Sequence, residues 1–110
     1  MKKLIMYCVT NKEINFINKT NYKAGWVGLG QVPDNYIACN TQDNIFFKEK
    51  YYSELTFHYW YWKNQLNLES TDWIGFCQKR RFWIKKDFIK KDIDKSDYNN
   101  FFLESIPEEY

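Results

Sequence analysis

Two short apolar runs frame this chain: Leu4-Ile5-Met6-Tyr7-Cys8-Val9 and Trp73-Ile74-Gly75-Phe76-Cys77. Neither alternates apolar with polar residues, so each reads as a strand buried on both faces, the first as a member of a parallel sheet. Both stop abruptly, the first at Thr10-Asn11 and the second at Gln78-Lys79-Arg80-Arg81. Between them Ser53 to about Leu66 reads as a helix, with Ser53 as its N-cap and Glu54 placing negative charge in the first turn. Leu55, Tyr59, Trp62 and Leu66 recur at i, i+4, i+7 and i+11, which predicts one buried face. Phe57, Trp60 and Tyr61 extend the apolar character nearly all the way round and predict burial on two sides. Strand, long loop, helix and strand are the opening half of an α/β sheet.

The remaining segments carry weaker signals. Residues 11–35 are polar and rich in turn residues, and read as loops with a short helix around Glu13 to Asn18. Tyr36 to Cys39 reads as a short second strand, and Asn40 to Asn44 and Asn67 to Asp72 as polar connections. Beyond Phe82 apolar and charged residues mix without firm periodicity, with one weak helix signal from Phe82 to Asp92. The expected organisation is a folded part over residues 1–83 and a charged extension over 84–110. At 110 residues there is room for one modest core and little more.

Charge and cysteine usage exclude several classes. A net charge of +2 makes the molecule as a whole no electrostatic nucleic-acid binder. The charge is unevenly spread, since residues 79–95 hold eight Lys/Arg against three Asp and residues 96–110 hold four acids and no base. Cys8, Cys39 and Cys77 show no C-x-x-C spacing, and Cys8 and Cys77 lie in apolar runs where a thiol packs as a small hydrophobe. A single histidine argues against a zinc site. The apolar run after Lys2-Lys3 is too short for a signal peptide and lacks a small-residue cleavage site. No stretch approaches the roughly 20 apolar residues of a membrane span. Aromatic residues make up 21% of the chain, a level that suits sugar or base stacking as well as plain core packing.

Ligands of open α/β sheets bind outside the carboxyl ends of the strands. Thr10, Asn11 and Lys12 follow the first strand, and Gln78, Lys79, Arg80 and Arg81 follow the later one. An Arg fork and mobile Lys ammonium groups can neutralise a diphosphate without a metal, although charged residues also end strands simply by leaving the core. Gly25, Gly28 and Gly30 do not form a G-x-G-x-x-G fingerprint, and no helix signal follows them. Asp43 and Asn44 are candidates for ribose or base hydrogen bonds, or for an Asx turn. His58 reads as a structural imidazole, and Glu54 as a cap residue or a general base. Asp92-Ile93-Asp94 has the D-x-D form of metal-bound diphosphate sites, but it lies in a Lys-rich stretch with no strand before it. No metal is expected.

These residues are also familiar as a set. Glu54-Leu55-Thr56 through Tyr59-Trp60-Tyr61-Trp62-Lys63-Asn64, followed by Trp73 to Cys77 and Arg80-Arg81-Phe82, resembles DUF4422, a family found in capsular and exopolysaccharide biosynthesis proteins. Its members look like E-L-T-x-x-Y-W-x-W-K-N followed by a strand close to Y-I-G-L-C-H-Y-R-R-Y-F. Val9-Thr10-Asn11-Lys12 is similar to the family's V-T-H-K, and Asp43-Asn44-Ile45 to its G-D-N-I. The likeness spans roughly residues 4–83. Two positions depart from the pattern: Gln78-Lys79 replaces His-Tyr, and Asn11 replaces the His after Val-Thr.

The resemblance implies a partial GT-A-like, Rossmann-like fold, α/β with a mostly parallel sheet and flanking helices. It implies a glycosyltransferase, or the N-terminal part of one, moving a sugar from a nucleoside-diphosphate donor to a surface-polysaccharide acceptor. On that fold the strand ending at Cys77 is where related enzymes carry D-x-D. Cationic side chains here imply a metal-independent site with no cofactor, formed by Thr10, Asn11, Lys12, Asp43, Asn44, Gln78, Lys79, Arg80 and Arg81. A cytoplasmic location, peripheral at the inner membrane face, goes with this reading. The family continues for well over a hundred residues, so the expectation is a fragment, split gene or degenerate copy, with a partner protein supplying the missing half. The alternatives are a non-catalytic carbohydrate- or nucleotide-binding remnant, and a small single-strand nucleic-acid module using residues 79–95.

Overall fold

A computed structural model of the chain describes residues 3–85 together with 102–103. Four strands run in chain order as β1 (Leu4–Thr10), β2 (Lys23–Trp26), β3 (Tyr36–Ala38) and β4 (Trp73–Gln78). They form one sheet in the order β3-β2-β1-β4, and every pair is parallel. This is an α/β, Rossmann-like arrangement. The short helix α1 (Glu49–Tyr52) and the longer α2 (Leu55–Asn64) lie between β3 and β4. Strand β1 pairs with β4 from Leu4↔Trp73 to Val9↔Gln78, so both strands end together.

A strand inside such a sheet must be apolar on both faces, and β1 is. Met6 and Cys8 belong to one core cluster, with Ile17, Tyr22, Ala24, Cys77 and Phe102. Tyr7 and Val9 belong to the opposite cluster, with Val27, Cys39, Phe57, Trp60 and Tyr61. Helix α2 covers the second face through aromatic packing. Phe57 is fully buried, its ring 5.7 Å from that of Tyr7 and 5.6 Å from that of Trp60, while Tyr61 lies 4.9 Å from Tyr7. Burying one such ring contributes about 1.5–3 kcal/mol.

Several expectations are corrected here. The buried face of α2 is Thr56, Phe57, Trp60 and Tyr61, whereas Leu55, Trp62 and Leu66 are 54%, 57% and 39% exposed. Two apolar stripes competed for the sheet, and the one holding three buried aromatic rings took it; the helix is covered on one side. Ser53 does not cap α2. It ends α1 with φ 47° and ψ −121°, and Glu54 occupies the cap position with no side-chain cap bond. The helix expected over Glu13 to Asn18 reduces to one 3-10 turn at Ile17–Lys19.

Strand β2 lies in a segment that reads as loop in the sequence because Gly25 looks like a turn residue. It is a packing glycine instead: a Cβ there would come within 2.5 Å of the Phe57 ring, so the strand lets the helix approach. On the other face the cover is irregular. Phe82 stacks on Phe102 at 4.5 Å, Ile84 pairs with Phe102 in an isolated antiparallel bridge, and the Tyr22 hydroxyl donates to the Leu103 carbonyl at 2.7 Å. Residues 82–85 are therefore not helical, and the rest of the helix expected to Asp92 lies outside the described residues, as does Asp92-Ile93-Asp94. Cys8, Cys39 and Cys77 are all buried free thiols. The Cys77 thiol is pushed up by its hydrogen bond with Cys8 and by burial.

Candidate functional site

The strand order makes the site's position a matter of topology. From β1 the chain adds β2 and β3 on one side, then crosses back to place β4 on the other. The order reverses between β1 and β4, and the crevice outside the carboxyl ends of those two strands is where such sheets bind ligands. Asn11-Lys12 and Gln78-Lys79-Arg80-Arg81 leave the sheet there side by side.

Each loop is shaped by its own bonds. The buried Thr10 hydroxyl donates to the Lys12 carbonyl at 2.6 Å and accepts from the Lys12 N–H at 3.0 Å, so it folds the turn and leaves Asn11 and Lys12 exposed. After β4, the Gln78 and Arg81 backbones exchange two hydrogen bonds of 3.2 and 3.1 Å. That tight turn puts Lys79 and Arg80 at its tip. The two loops are joined by the Lys79 ammonium, which donates to Asn11 Oδ1 at 2.6 Å. Gln78 Nε2 donates to Glu54 Oε1 at 2.8 Å and ties the turn to the start of α2.

Two concavities flank this junction, one on each side of the sheet edge. The larger, ≈ 440 Å³, is lined by Lys12, Lys19, Lys79 and Arg80 with Glu13 as the acid, and Phe16 anchors it to the irregularly covered face. Four cationic side chains against one carboxylate give this cleft a positive balance. The smaller, ≈ 130 Å³, has Val9 and Val27 at its base and Glu49, Ser53, Glu54, Gln78 and Lys79 around it, on the helix side. Lys79 lines both.

Of the residues expected in the site, Thr10, Asn11, Lys12, Gln78, Lys79 and Arg80 meet at this junction. Arg81 joins through its backbone. Asp43 and Asn44 do not meet them. Asp43 accepts from the Tyr59 hydroxyl at 3.0 Å, and the Asn64 side chain accepts from its N–H and donates to its carbonyl. Asn64 is the last residue of α2, about 15 Å along the helix from Glu54. Asn44 Oδ1 accepts from the Phe46 N–H in an Asx turn. Asp43 thus pins the loop after β3 to α2, while Asn44 closes a turn within that loop. Lys19, Glu49 and Ser53 escaped the sequence reading, because no local pattern says that the loops carrying them return to the strand ends.

His58 packs its ring 4.2 Å from Phe76, and burial lowers its pKa against the opposing Glu54 carboxylate. This is a neutral packing imidazole. Among the described residues no cluster of His, Cys, Asp or Glu is suited to hold a metal ion.

The match to known proteins follows the same residues. A family model described as "Domain of unknown function (DUF4422)" matches residues 5–108. The chain belongs to the DUF4422 family. The DUF4422 match runs through the 83/84 boundary and includes Phe102-Leu103, which pack on the sheet. The aromatic stretch that carries the resemblance has distinct structural roles: Trp60 is core, Lys63 lies 4.1 Å over the exposed Trp62 ring, and Asn64 is the staple to Asp43. No curated protein and no solved structure matches the chain.

Proposed function

We propose that this DUF4422 chain binds a nucleoside-diphosphate sugar, as the donor-binding part of a glycosyltransferase that builds surface polysaccharide. The observation that carries the reading is the convergence of Lys12, Lys19, Lys79 and Arg80 on one cleft at the point where the strand order reverses. An Arg fork can grip two phosphate oxygens while Lys ammonium groups supply point charges. A leaving diphosphate gathers negative charge as the glycosidic bond breaks, and preformed cations in a concave site stabilise that charge. The proposal is therefore of a metal-independent donor site without a cofactor. Asn11, which stands where the resembled pattern has His after Val-Thr, pre-positions Lys79.

The glycan acceptor and a polypeptide completing the catalytic centre are further parts of the proposal, as is a cytoplasmic location beside the inner membrane face. No helix among the described residues is long and apolar enough to cross a membrane. A donor-hydrolysis or transfer assay on the full chain, with EDTA present, tests the reading. Donor binding unaffected by the chelator is expected, as is chelator-insensitive turnover once the completing polypeptide is present. Turnover that disappears with EDTA and returns with manganese overturns the metal-independent site. Donor binding with no turnover even when the completing polypeptide is added assigns the chain to a non-catalytic carbohydrate- or nucleotide-binding role.

A further inference from the structure

The smaller cavity across the Lys79 partition has a lining unlike the basic cleft. Two carboxylates, Glu49 and Glu54, stand with the Gln78 amide and the Ser53 hydroxyl over an apolar base of Val9 and Val27. Lys79 borders both concavities, and its ammonium donates to Asn11, which lines the smaller one, so the two carboxylates there face a single cation. A diphosphate fits the four-cation cleft and is repelled by the pair of carboxylates. A neutral polyhydroxylated group has the opposite preference, since carboxylates accept hydrogen bonds from hydroxyls and an amide supplies both a donor and an acceptor.

From this juxtaposition we propose that the Glu49–Glu54 cavity is the subsite for the sugar of the donor and selects neutral sugars over sugar acids. The inference rests on the donor-binding reading above and deepens it. A group attached directly to the bound diphosphate lies within reach of whatever borders Lys79 on its other side. At a volume of ≈ 130 Å³ the cavity admits part of one sugar ring and no nucleoside, which leaves the nucleoside to the basic side. A uronic acid in the same position sets its carboxylate against Glu49 and Glu54, and like charges placed together are a means of rejecting a wrong ligand. Glu54 is oriented for this role by the Gln78 bond, so Gln78, one of the departures from the family pattern, becomes a positioning residue.

The test is competition binding on the full chain with matched donor pairs, UDP-glucose against UDP-glucuronate and GDP-mannose against GDP-mannuronate. UDP and GDP alone report on the basic cleft. The wild-type chain should favour the neutral member of at least one pair by about tenfold. Glu49→Gln and Glu54→Gln, singly and together, should shrink that preference stepwise while the chain still binds the bare nucleoside diphosphate. Equal affinity for both members, or a preference unchanged in the double variant, overturns the sugar-subsite inference alone. Failure of both UDP and GDP to bind the wild-type chain overturns the donor-binding reading beneath it.

Discussion

The two faces of the sheet are built by different means. On one, a ten-residue helix lays Phe57, Trp60 and Tyr61 against Tyr7, Val9 and Phe76, and Gly25 makes room for the closest ring. On the other, loop residues 11–22 and the pairing of Phe82 and Ile84 with Phe102 do the covering. The basic cleft opens on this second side, as does a larger hollow of ≈ 710 Å³ beside Ile14, Tyr22 and Tyr36. A helix seals a sheet face with its interior backbone groups bonded internally, whereas irregular cover leaves gaps and exposed polar groups. The helix side supplies the regular aromatic core and the irregular side the basic cleft, with Lys79 on the boundary between them.

Substitutions of matched chemistry on the two faces sharpen this contrast. Phe57→Ala removes the central ring of the helix-covered core, and denaturant unfolding should show a loss of about 3–5 kcal/mol. Phe102→Ala removes a ring that is also buried but is held by a single isolated bridge rather than by a helix. Its global cost should be smaller, about 1–3 kcal/mol, with faster amide exchange at Leu103, whose N–H donates to the Trp83 carbonyl at 2.8 Å. Equal costs with no change in exchange would mean that the faces are energetically alike and break the comparison.

A smaller effect is expected from pH. His58 sits on Phe76 with its pKa below the ordinary 6.5, chiefly through burial. The unfolded chain then binds the proton more readily than the folded one. The stability tied to a neutral His58 is present above pH 6.5 and is lost as pH falls through that value toward the lower folded pKa. Urea melts at pH 7.5 and 5.5 should show this loss in the wild-type chain and a reduced one in His58→Gln. The same pH dependence in both proteins would remove His58 from the account.

The same contrast explains what the sequence makes legible. Strands β1, β3 and β4 stand out because their apolar runs end in polar clusters, and the loops after β1 and β4 then follow from strand polarity alone. Strand β2 is hidden because a glycine that admits Phe57 looks, locally, like a glycine that makes a turn. The existence of α2 is plain from its spacing, but its buried face is not, since two apolar stripes fit the same periodicity and only the sheet selects between them. The basic cleft is half legible. Lys12, Lys79 and Arg80 follow strands, while Lys19 arrives through a loop whose path is set by Ile17 and Phe16 packing on the sheet. Asp43 and Asn44 have the right chemistry for a ligand, but their hydrogen bonds go to α2 and to their own turn.

The most direct test of the basic cleft is titration calorimetry of UDP and GDP against the wild-type chain, Lys79→Ala and Arg80→Ala, with EDTA throughout. The predicted result is wild-type binding in the presence of chelator, weakened about tenfold or more by either substitution without loss of the folded state. Binding that requires an added divalent cation, or that is indifferent to both substitutions, would contradict the account.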